Sequence, residues 1–259
     1  MSGAAHAELA MVVTQACWPF RQPPPSGLAL RSLRLDGSTT WEQTSVLNER
    51  CLEQALPPRR REFTAGRLCA VAALADLGME PAWLAIAQPY RYARFPLGVV
   101  GSISHAQNLA LACAADAHYY AGVGVDAEPI ALHPELWGMV EQVMTSHERA
   151  CLESMSKAQA LRFFYLSFSA KEAFYKAVYP LCHTDMEFSE AELAAWDLQG
   201  RFQLRLTSAR IAPHFIQGQL FEGYWTERDN TMLTLLAIGR NTHRVSEQSE
   251  LHKGELAGS

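Results

Sequence analysis

Two carboxylates stand close together in the segment 122–128, which reads Gly-Val-Gly-Val-Asp-Ala-Glu. The apolar run before them predicts a buried strand, in which Gly122 and Gly124 would allow another backbone to approach closely. Residues two apart on a strand face the same side. Asp126 and Glu128 would therefore lie side by side, where their repulsion could be relieved by a hard divalent cation. Oxygen ligands without His or Cys favour Mg2+ over zinc. A solvated strand end that caps a helix is the alternative interpretation of this segment.

A second segment, 98–105, carries two hydroxyls and an imidazole at the end of a glycine-containing strand. Backbone N–H groups, the Ser104 hydroxyl and the His105 imidazole could together bind an anion there. No charged residue occurs from Phe95 to Ala115, so we expect His105 to lie in surroundings of low dielectric constant, where one hydrogen bond counts for more. A buried histidine bonded to a backbone carbonyl is the alternative.

The third segment, 168–176, has the periodicity of a helix. Residues four apart share a helix face, so Phe168, Glu172 and Lys176 would point the same way. An exposed Glu–Lys pair, worth about 0.2–0.5 kcal/mol, is the alternative interpretation.

Four arginines near these segments are candidates for binding phosphate oxygens, since the guanidinium group bonds such oxygens in pairs. Arg59 and Arg67 are eight residues apart in a predicted helix and can share one face, whereas Arg91 and Arg94 fall in an irregular segment before His105. The alternative is that a charged helix start is simply a solvated face.

The elements that must position these residues alternate between helices and strands. We expect one helix to start at Pro57 and end at Gly78, and we expect 134–155 and 157–179 to be mostly helical, with Pro180 ending the last helix. Segment 109–115 could be a strand or a helix by periodicity. Residues 1–10 and the tail 241–259 are expected to be poorly ordered, and a turn is expected at Asp36–Ser38. The predicted strands are 28–35, 98–104, 119–126, 201–206, 223–225 and 231–238.

Composition narrows the class of protein without assigning an activity. The chain has 259 residues, 49% of them hydrophobic, and a formal net charge of −5, which gives no indication of a nucleic-acid-binding surface. Its six cysteines are scattered and predict neither a zinc site nor a disulfide framework. We find no signal-peptide pattern and no apolar run long enough to span a membrane, so a cytoplasmic location is expected.

Taken together, the three segments resemble motifs of the 4′-phosphopantetheinyl transferase superfamily in its two-subdomain form. The motifs occur in the family's order, as Ser102–His105, Gly124–Glu128 and Phe168–Lys176. Upstream, Arg59–Arg67 leads into an Ala-rich helix and resembles the enterobactin synthase component branch. Phe168 stands where the family frequently has Trp. The resemblance implies an α+β fold of two similar α/β subdomains related by a pseudo-twofold axis, with the ligand cleft between them.

The resemblance also implies the reaction and a role for each candidate residue. The phosphopantetheine arm of coenzyme A would move to a serine of an apo acyl or peptidyl carrier protein, leaving adenosine 3′,5′-bisphosphate. One Mg2+ would be held by Asp126, Glu128 and Glu172. Lys176 and His105 would neutralise charge on the pyrophosphate, with Glu172 the first candidate for the general base. Ser104 would contact the nucleotide end. The candidates for binding the 3′-phosphate are Arg59, Arg67 and one of Arg91 or Arg94.

The same resemblance sets expectations for organisation and partners. Residues 1–118 would form an N-terminal subdomain, 119–240 a C-terminal subdomain and 241–259 a tail, and the chain would act as a monomer. Segment 135–158 is a candidate for carrier docking, although its apolar residues could equally form a core face. The branch favours carriers of nonribosomal peptide and siderophore synthesis over those of fatty acids or polyketides. A Mg2+-dependent phosphohydrolase and a non-catalytic binding module are the competing functions.

Overall fold

The computed structural model of the chain describes residues 3–35, 52, 55–90, 92–132, 135–212 and 214–240. Within them, helices and strands alternate along the sequence. The helices are α1 (Gly3–Val13), α2 (Pro57–Asp76), α3 (Leu136–Val143), α4 (Ser146–Glu153) and α5 (Lys157–Cys182), with a short 3-10 helix at Phe188–Glu190. The strands are β1 (Gln15–Ala16), β2 (Leu28–Arg34), β3 (Val99–Ala106), β4 (Leu109–Asp116), β5 (Tyr120–Pro129), β6 (Ala191–Trp196), β7 (Arg201–Leu206), β8 (Leu220–Arg228) and β9 (Thr231–Gly239).

The strands form two antiparallel sheets, which confirms the predicted α+β class. The first sheet has the order β1-β2-β4-β3, and the second has the order β5-β9-β8-β7-β6. Helix α2 packs on β2 and β4 of the first sheet, and α5 packs on β5 and β9 of the second. Each half therefore consists of one long helix on one sheet. Sheet membership changes between Asp116 and Tyr120; the subdomain boundary at 118/119 stays a prediction.

Helix α2 follows the sequence pattern closely. Its first turn contains Pro57 and Pro58, where a missing N–H costs nothing, and it ends before Gly78, whose φ of 71° suits a residue without a side chain. Its middle, from Phe63 to Leu74, is buried throughout. This burial explains the alanine-rich composition, since small side chains allow the helix to lie close to the sheet.

Two glycines of β5 set the position of α5. A Cβ atom on Gly124 would lie 1.7 Å from the carbonyl oxygen of Ala173, and one on Gly122 would lie 2.2 Å from that of Ala177. Only glycine permits this contact, so the close backbone approach predicted for this strand is confirmed. As a result, the next inward position of the strand, Asp126, faces the helix turn that carries Glu172 and Lys176.

Two sequence predictions about the helices are wrong, and a third is refined. Residues 3–10 belong to α1, which is ordered because Ala10 packs into the core formed with α2. The segment 134–155 is mostly helical, as predicted, and it is divided into α3 and α4 because Thr145 begins α4 with a capping box that includes Glu148. Helix α5 runs two residues past Pro180, since a proline in the last turn removes only its own hydrogen bond.

Other predictions are refined or fall outside the described residues. Segment 109–115 is a strand, β4, and strand β6 was not predicted. The turn at Asp36–Ser38 and the tail 241–259 lie outside the described residues, as does Arg91. Within the part of the chain that the structure describes, no helix combines the length and apolar character needed to cross a membrane.

Candidate active site

The site is organised around the buried carboxylate of Asp126 on β5. Asp126 is only 2% exposed to solvent, and both oxygens of its carboxylate accept hydrogen bonds. Its Oδ1 accepts from Ser104 Oγ at 2.9 Å and from Lys176 Nζ at 2.5 Å, and its Oδ2 accepts from Ser169 Oγ at 2.8 Å. The carboxylate thus joins the first sheet, the second sheet and helix α5.

The two edge strands that meet here come from different sheets. Ser104 and Ser102 lie on β3, and both face β5, where Ser102 Oγ accepts a hydrogen bond from Val125 N at 3.2 Å. Lys176 also donates to Ser104 Oγ, at 3.2 Å. The segments 98–105, 122–128 and 168–176, which are far apart in sequence, are therefore brought together as predicted.

Lys176 keeps its charge at this position. Burial alone would lower the pKa of its ammonium group, but the Asp126 carboxylate, followed by Glu172 and Glu128, outweighs burial and raises the pKa above its ordinary value. The side chain is 26% exposed, so the ammonium group also reaches the neighbouring cleft. It is a fixed positive charge between the carboxylates and the open space.

Glu128 and Glu172 differ from Asp126 because neither is paired directly with a cation, although the nearby Lys176 ammonium group acts to lower the pKa of both. Both are half-buried, and within the described residues no hydrogen bond or ion pair reaches either carboxylate. Burial, and then the negative charge of Asp126, raises the pKa of Glu128 to about 7. Burial is also the main reason that the pKa of Glu172 is raised. We call Asp126, Glu128 and Glu172 the carboxylate group.

The carboxylate group is not assembled as a set of metal ligands. In the stretches that the structure describes, no three His, Cys, Asp or Glu side chains are grouped closely enough to hold an ion as they stand. The cation bound to Asp126 is instead the ammonium group of Lys176. The ligand set implied by the resemblance therefore requires side-chain movement and stays a prediction.

On the other side of the site, Arg59, Glu62 and His105 form what we call the anion wall. Arg59 Nη1 lies 2.6 Å from His105 Nε2, and Glu62 Oε2 lies 3.5 Å from His105 Nδ1. Because a guanidinium group can only donate, Nε2 must accept, and the imidazole is neutral with its proton on Nδ1. Burial is the main cause that lowers the pKa of His105, which agrees with a neutral ring.

The anion wall and Lys176 line one large cleft. Its volume is about 880 Å³, and its walls come from α2, β3, α5 and residues of 86–90 and 92–93. Tyr90, Tyr92 and Tyr179 supply an aromatic side, and Tyr90 stacks on His183 with ring centroids 4.0 Å apart. The cleft therefore lies between the two halves of the chain, with a positively charged wall beside an aromatic one.

The predicted arginines have different surroundings. Arg67 lines the cleft but is buried, with its Nε donating to Leu84 O at 2.8 Å and its guanidinium 4.2 Å from the centre of the Phe63 ring. Arg94 is exposed and is not among the described residues that line the cleft. Arg59 alone of the three combines exposure with a place on the wall.

Some residues of the site were not expected from the sequence. Ser169 binds Asp126, Glu62 contacts His105, and Lys171 forms a buried ion pair with Glu148 at 2.6 Å. Helical spacing could have identified the first two, since Ser169 lies seven residues before Lys176 and Glu62 three after Arg59. The partner of Lys171 could not be found this way, because Glu148 belongs to another helix.

The segment proposed for carrier docking is mainly a core face. Val140, Val143, Met144 and Leu152 are buried, as the alternative interpretation expected. The apolar side chain that α3 exposes is Trp137, at 60%. The apolar residues of this segment therefore do not identify the carrier-docking surface, and its place stays a prediction.

Two family models match the chain. Residues 47–115 match the 4′-phosphopantetheinyl transferase N-terminal domain, and residues 122–227 match the 4′-phosphopantetheinyl transferase superfamily. The chain belongs to the 4′-phosphopantetheinyl transferase superfamily. It is an enzyme that transfers phosphopantetheine from coenzyme A to carrier proteins, and the activity implied by the motifs is confirmed against the two competing functions.

Three relatives align with this chain over most of their own length. The phosphopantetheinyl transferase Svp of Streptomyces mobaraensis is 35% identical over 76% of this chain and 79% of its own. Npt of Nocardia iowensis is 34% identical over 73% of this chain and 86% of its own. Enterobactin synthase component D of Salmonella typhimurium is 30% identical over 77% and 81%, respectively.

Among solved structures, a holo-(acyl-carrier-protein) synthase from Bacillus anthracis aligns with a TM-score of 0.38 at 19% identity, covering 47% of this chain and 97% of that one.

Proposed function

We propose that coenzyme A binds in the cleft with its phosphates between the anion wall and Lys176, and that transfer takes place beside the carboxylate group. The observation that carries this proposal is the place of Lys176. Its ammonium group binds Asp126 at 2.5 Å and also lines the cleft that contains Arg59 and His105. A phosphate beside Lys176 would therefore lie within reach of both groups of residues.

We further propose that Asp126, Glu128 and Glu172 hold a Mg2+ ion. The donor chemistry fits, because all three ligands are oxygen donors and two of them, Glu128 and Glu172, have half-buried carboxylates that no hydrogen bond or ion pair reaches in the described structure. When bound, the ion would withdraw charge from the phosphoryl oxygens and help to orient them. Its binding would require Lys176 to yield part of its contact with Asp126.

Lys176 and His105 would stabilise charge that builds on the pyrophosphate. Fixed positive charge beside the transferring group is the main contribution that a protein makes to phosphoryl transfer. Lys176 is charged in the described arrangement, whereas His105 is neutral and would need a proton to contribute fully.

Glu172 is our candidate for the general base. The acceptor serine oxygen would attack the phosphorus that carries the pantetheine arm, and the bond from that phosphorus to the leaving adenosine bisphosphate would break. The serine proton would pass to the Glu172 carboxylate, directly or through a water. The raised pKa of Glu172 favours this role, because a carboxylate of higher pKa is a stronger base.

For the 3′-phosphate we propose Arg59 as the main contact and Arg67 as a second, more rigid one. Arg59 is exposed on the cleft wall, and Arg67 is fixed by its bond to Leu84. Contacts from Arg91 or Arg94, and one from Ser104 to the nucleotide, stay predictions. The Ser104 hydroxyl already binds Asp126 and Lys176, which favours a positioning role for it.

We also propose that the acceptors are carriers of nonribosomal peptide or siderophore synthesis, and that the enzyme acts as a cytoplasmic monomer. The support for the pathway is that its relatives include enterobactin synthase component D. A chain that forms both sides of its own cleft does not need a second copy to complete it.

The test is to incubate the protein with coenzyme A, Mg2+ and apo carrier proteins of several pathways, and to measure the mass of each carrier. We expect a gain of one phosphopantetheine group, fastest on peptidyl carriers, and its loss when the metal is chelated. The surface variant Glu227→Gln, in an ion pair with Arg162, serves as a control that should match the wild type. Transfer that persists in excess chelator would contradict the Mg2+ assignment.

A further inference from the structure

Glu62 is an unexpected residue for a surface that binds phosphate. It lies on the cleft wall, one turn of α2 after Arg59, and its side chain is only 26% exposed. A carboxylate at this place repels an incoming phosphate through a medium of reduced dielectric constant. An exposed ion pair with Arg59, at 3.5 Å, would contribute little to stability and does not account for it.

The contact that Glu62 makes with His105 suggests another role. The imidazole lies between two groups of α2, with Arg59 at its Nε2 and Glu62 at its Nδ1. This arrangement fixes the ring orientation and the position of its proton. It also leaves Nε2 as the nitrogen that becomes free if Arg59 turns toward a phosphate.

We propose that Glu62 is a positioning residue that makes His105 take up a proton when the phosphates of coenzyme A bind. Arg59 leaves Nε2 to bind the phosphate, Nε2 accepts a proton from solvent, and the resulting imidazolium lies between the phosphate and the Glu62 carboxylate. No covalent bond changes, and one proton moves from solvent to His105. This inference rests on the proposed binding of coenzyme A in the cleft.

The charges around His105 favour this sequence of events. The charged groups that act on it are Arg59 and Glu62 from α2, Lys176 from α5 and Asp126 from β5. Glu62, and after it Asp126, oppose the lowering of the His105 pKa, whereas Arg59 and Lys176 contribute to it. A phosphate that neutralises Arg59 and Lys176 removes their effect and leaves that of the carboxylates, of which Glu62 is the larger, so the pKa of His105 rises on binding.

The experiment measures proton uptake when coenzyme A binds to the full-length protein, by titration calorimetry in buffers of different ionisation enthalpy at one Mg2+ concentration. The 3′-phosphate of coenzyme A titrates near pH 6 in every variant, so the share of His105 is the difference between the wild type and His105→Gln. We expect Glu62→Gln, which keeps the shape but removes the charge, to lose most of this share.

The affinity should change in step with the proton uptake. In the wild type, we expect the dissociation constant of coenzyme A to rise about tenfold more between pH 6.5 and pH 8.5 than it does in His105→Gln, and the Glu62→Gln variant to lose most of this excess. The variant Glu62→Asp should recover part of it. Asp185→Asn, which removes another cleft carboxylate that bonds Tyr175 rather than His105, should leave it unchanged.

Each outcome decides the inference. If Glu62→Gln binds coenzyme A with the proton uptake of the wild type, Glu62 does not act through His105 and the inference is wrong. If the variant binds more tightly at every pH without a change in uptake, Glu62 is only a repulsive charge. If the wild type itself does not bind coenzyme A, the proposed function of the cleft fails instead.

Discussion

The anion wall and the carboxylate group use the same kinds of side chain in opposite ways. In the anion wall, Arg59 lies at Nε2 of a neutral His105 and Glu62 lies at its Nδ1, so the two opposite charges of the wall are close together. In the carboxylate group, Asp126 is paired with Lys176, whereas within the described residues no hydrogen bond or ion pair reaches Glu128 or Glu172. The charges of the anion wall thus offset each other, whereas the carboxylate group has three carboxylates to one ammonium group. Lys176 lies between them and is the residue that both share.

The largest expected effect on the transfer rate comes from removing a side chain of the carboxylate group. We expect Asp126→Ala and Glu172→Ala each to lower the transfer rate by about 10³-fold or more, because charge at the reaction centre is no longer stabilised. Initial rates of carrier modification measure this, with circular dichroism to show that the variants fold. Asp126→Ala should also melt at a lower temperature, since Lys176 and Ser169 lose their partner.

The control for this first prediction is Glu227→Ala, which removes a carboxylate from the surface. Wild-type turnover in either Asp126→Ala or Glu172→Ala would contradict the assignment of these carboxylates to the active site.

Removing the positive charge of Lys176 should have a smaller but still large effect on the transfer rate. Lys176→Met is expected to lower kcat about 100-fold, since an ammonium group at the transferring phosphate acts mainly in the transition state. Lys176→Arg keeps the charge and should recover part of the rate. Steady-state kinetics with saturating coenzyme A separate kcat from KM. If Lys176→Met changed KM alone, Lys176 would be a binding residue rather than a catalytic one.

The anion wall is expected to affect binding more than chemistry. Arg59→Gln should raise the KM for coenzyme A about tenfold and leave kcat nearly unchanged, as expected when a contact is equally strong in the ground and transition states. The matched control is Arg162→Gln, which removes an exposed arginine far from the cleft. A loss confined to kcat would place Arg59 at the reacting phosphates instead of the 3′-phosphate.

The smallest effect concerns the metal and pH. Since the pKa of Glu128 is raised to about 7, its carboxyl group is protonated at pH 6 and must lose a proton to bind a cation, whereas at pH 8 it is already ionised. Excess Mg2+ should therefore raise the melting temperature by about 2–4 °C at pH 8 and by less at pH 6. Scanning fluorimetry measures the shift, and Glu128→Gln should remove its pH dependence. An equal shift at both pH values would mean that Glu128 is not a ligand.

The sequence predicts the parts of the site that depend on short-range spacing. The glycines at 122 and 124 indicate a close approach, and the structure confirms it through the carbonyl oxygens of Ala173 and Ala177. The order of the three motifs was sufficient to predict the α+β fold and the family.

What depends on contacts between distant elements could not be predicted. The low charge near His105 in sequence indicated an apolar pocket, yet α2 brings Arg59 and Glu62 to the ring. Arg67 has the spacing of a ligand-binding residue, but its helix turn faces Leu84 and buries it. Residues 3–10 have the composition of a frayed end, and their order comes from packing against α2. In each case the deciding interaction is with a partner elsewhere in the chain.

The most direct test of the central claim, that coenzyme A bound in one cleft contacts both the anion wall and the carboxylate group, is 31P relaxation of bound coenzyme A with Mn2+ in place of Mg2+. We predict strong enhancement of relaxation at the two pyrophosphate phosphorus atoms, much weaker enhancement at the 3′-phosphate, and loss of both in Asp126→Asn. Equal enhancement at all three phosphates, or enhancement that survives in Asp126→Asn, would contradict the account.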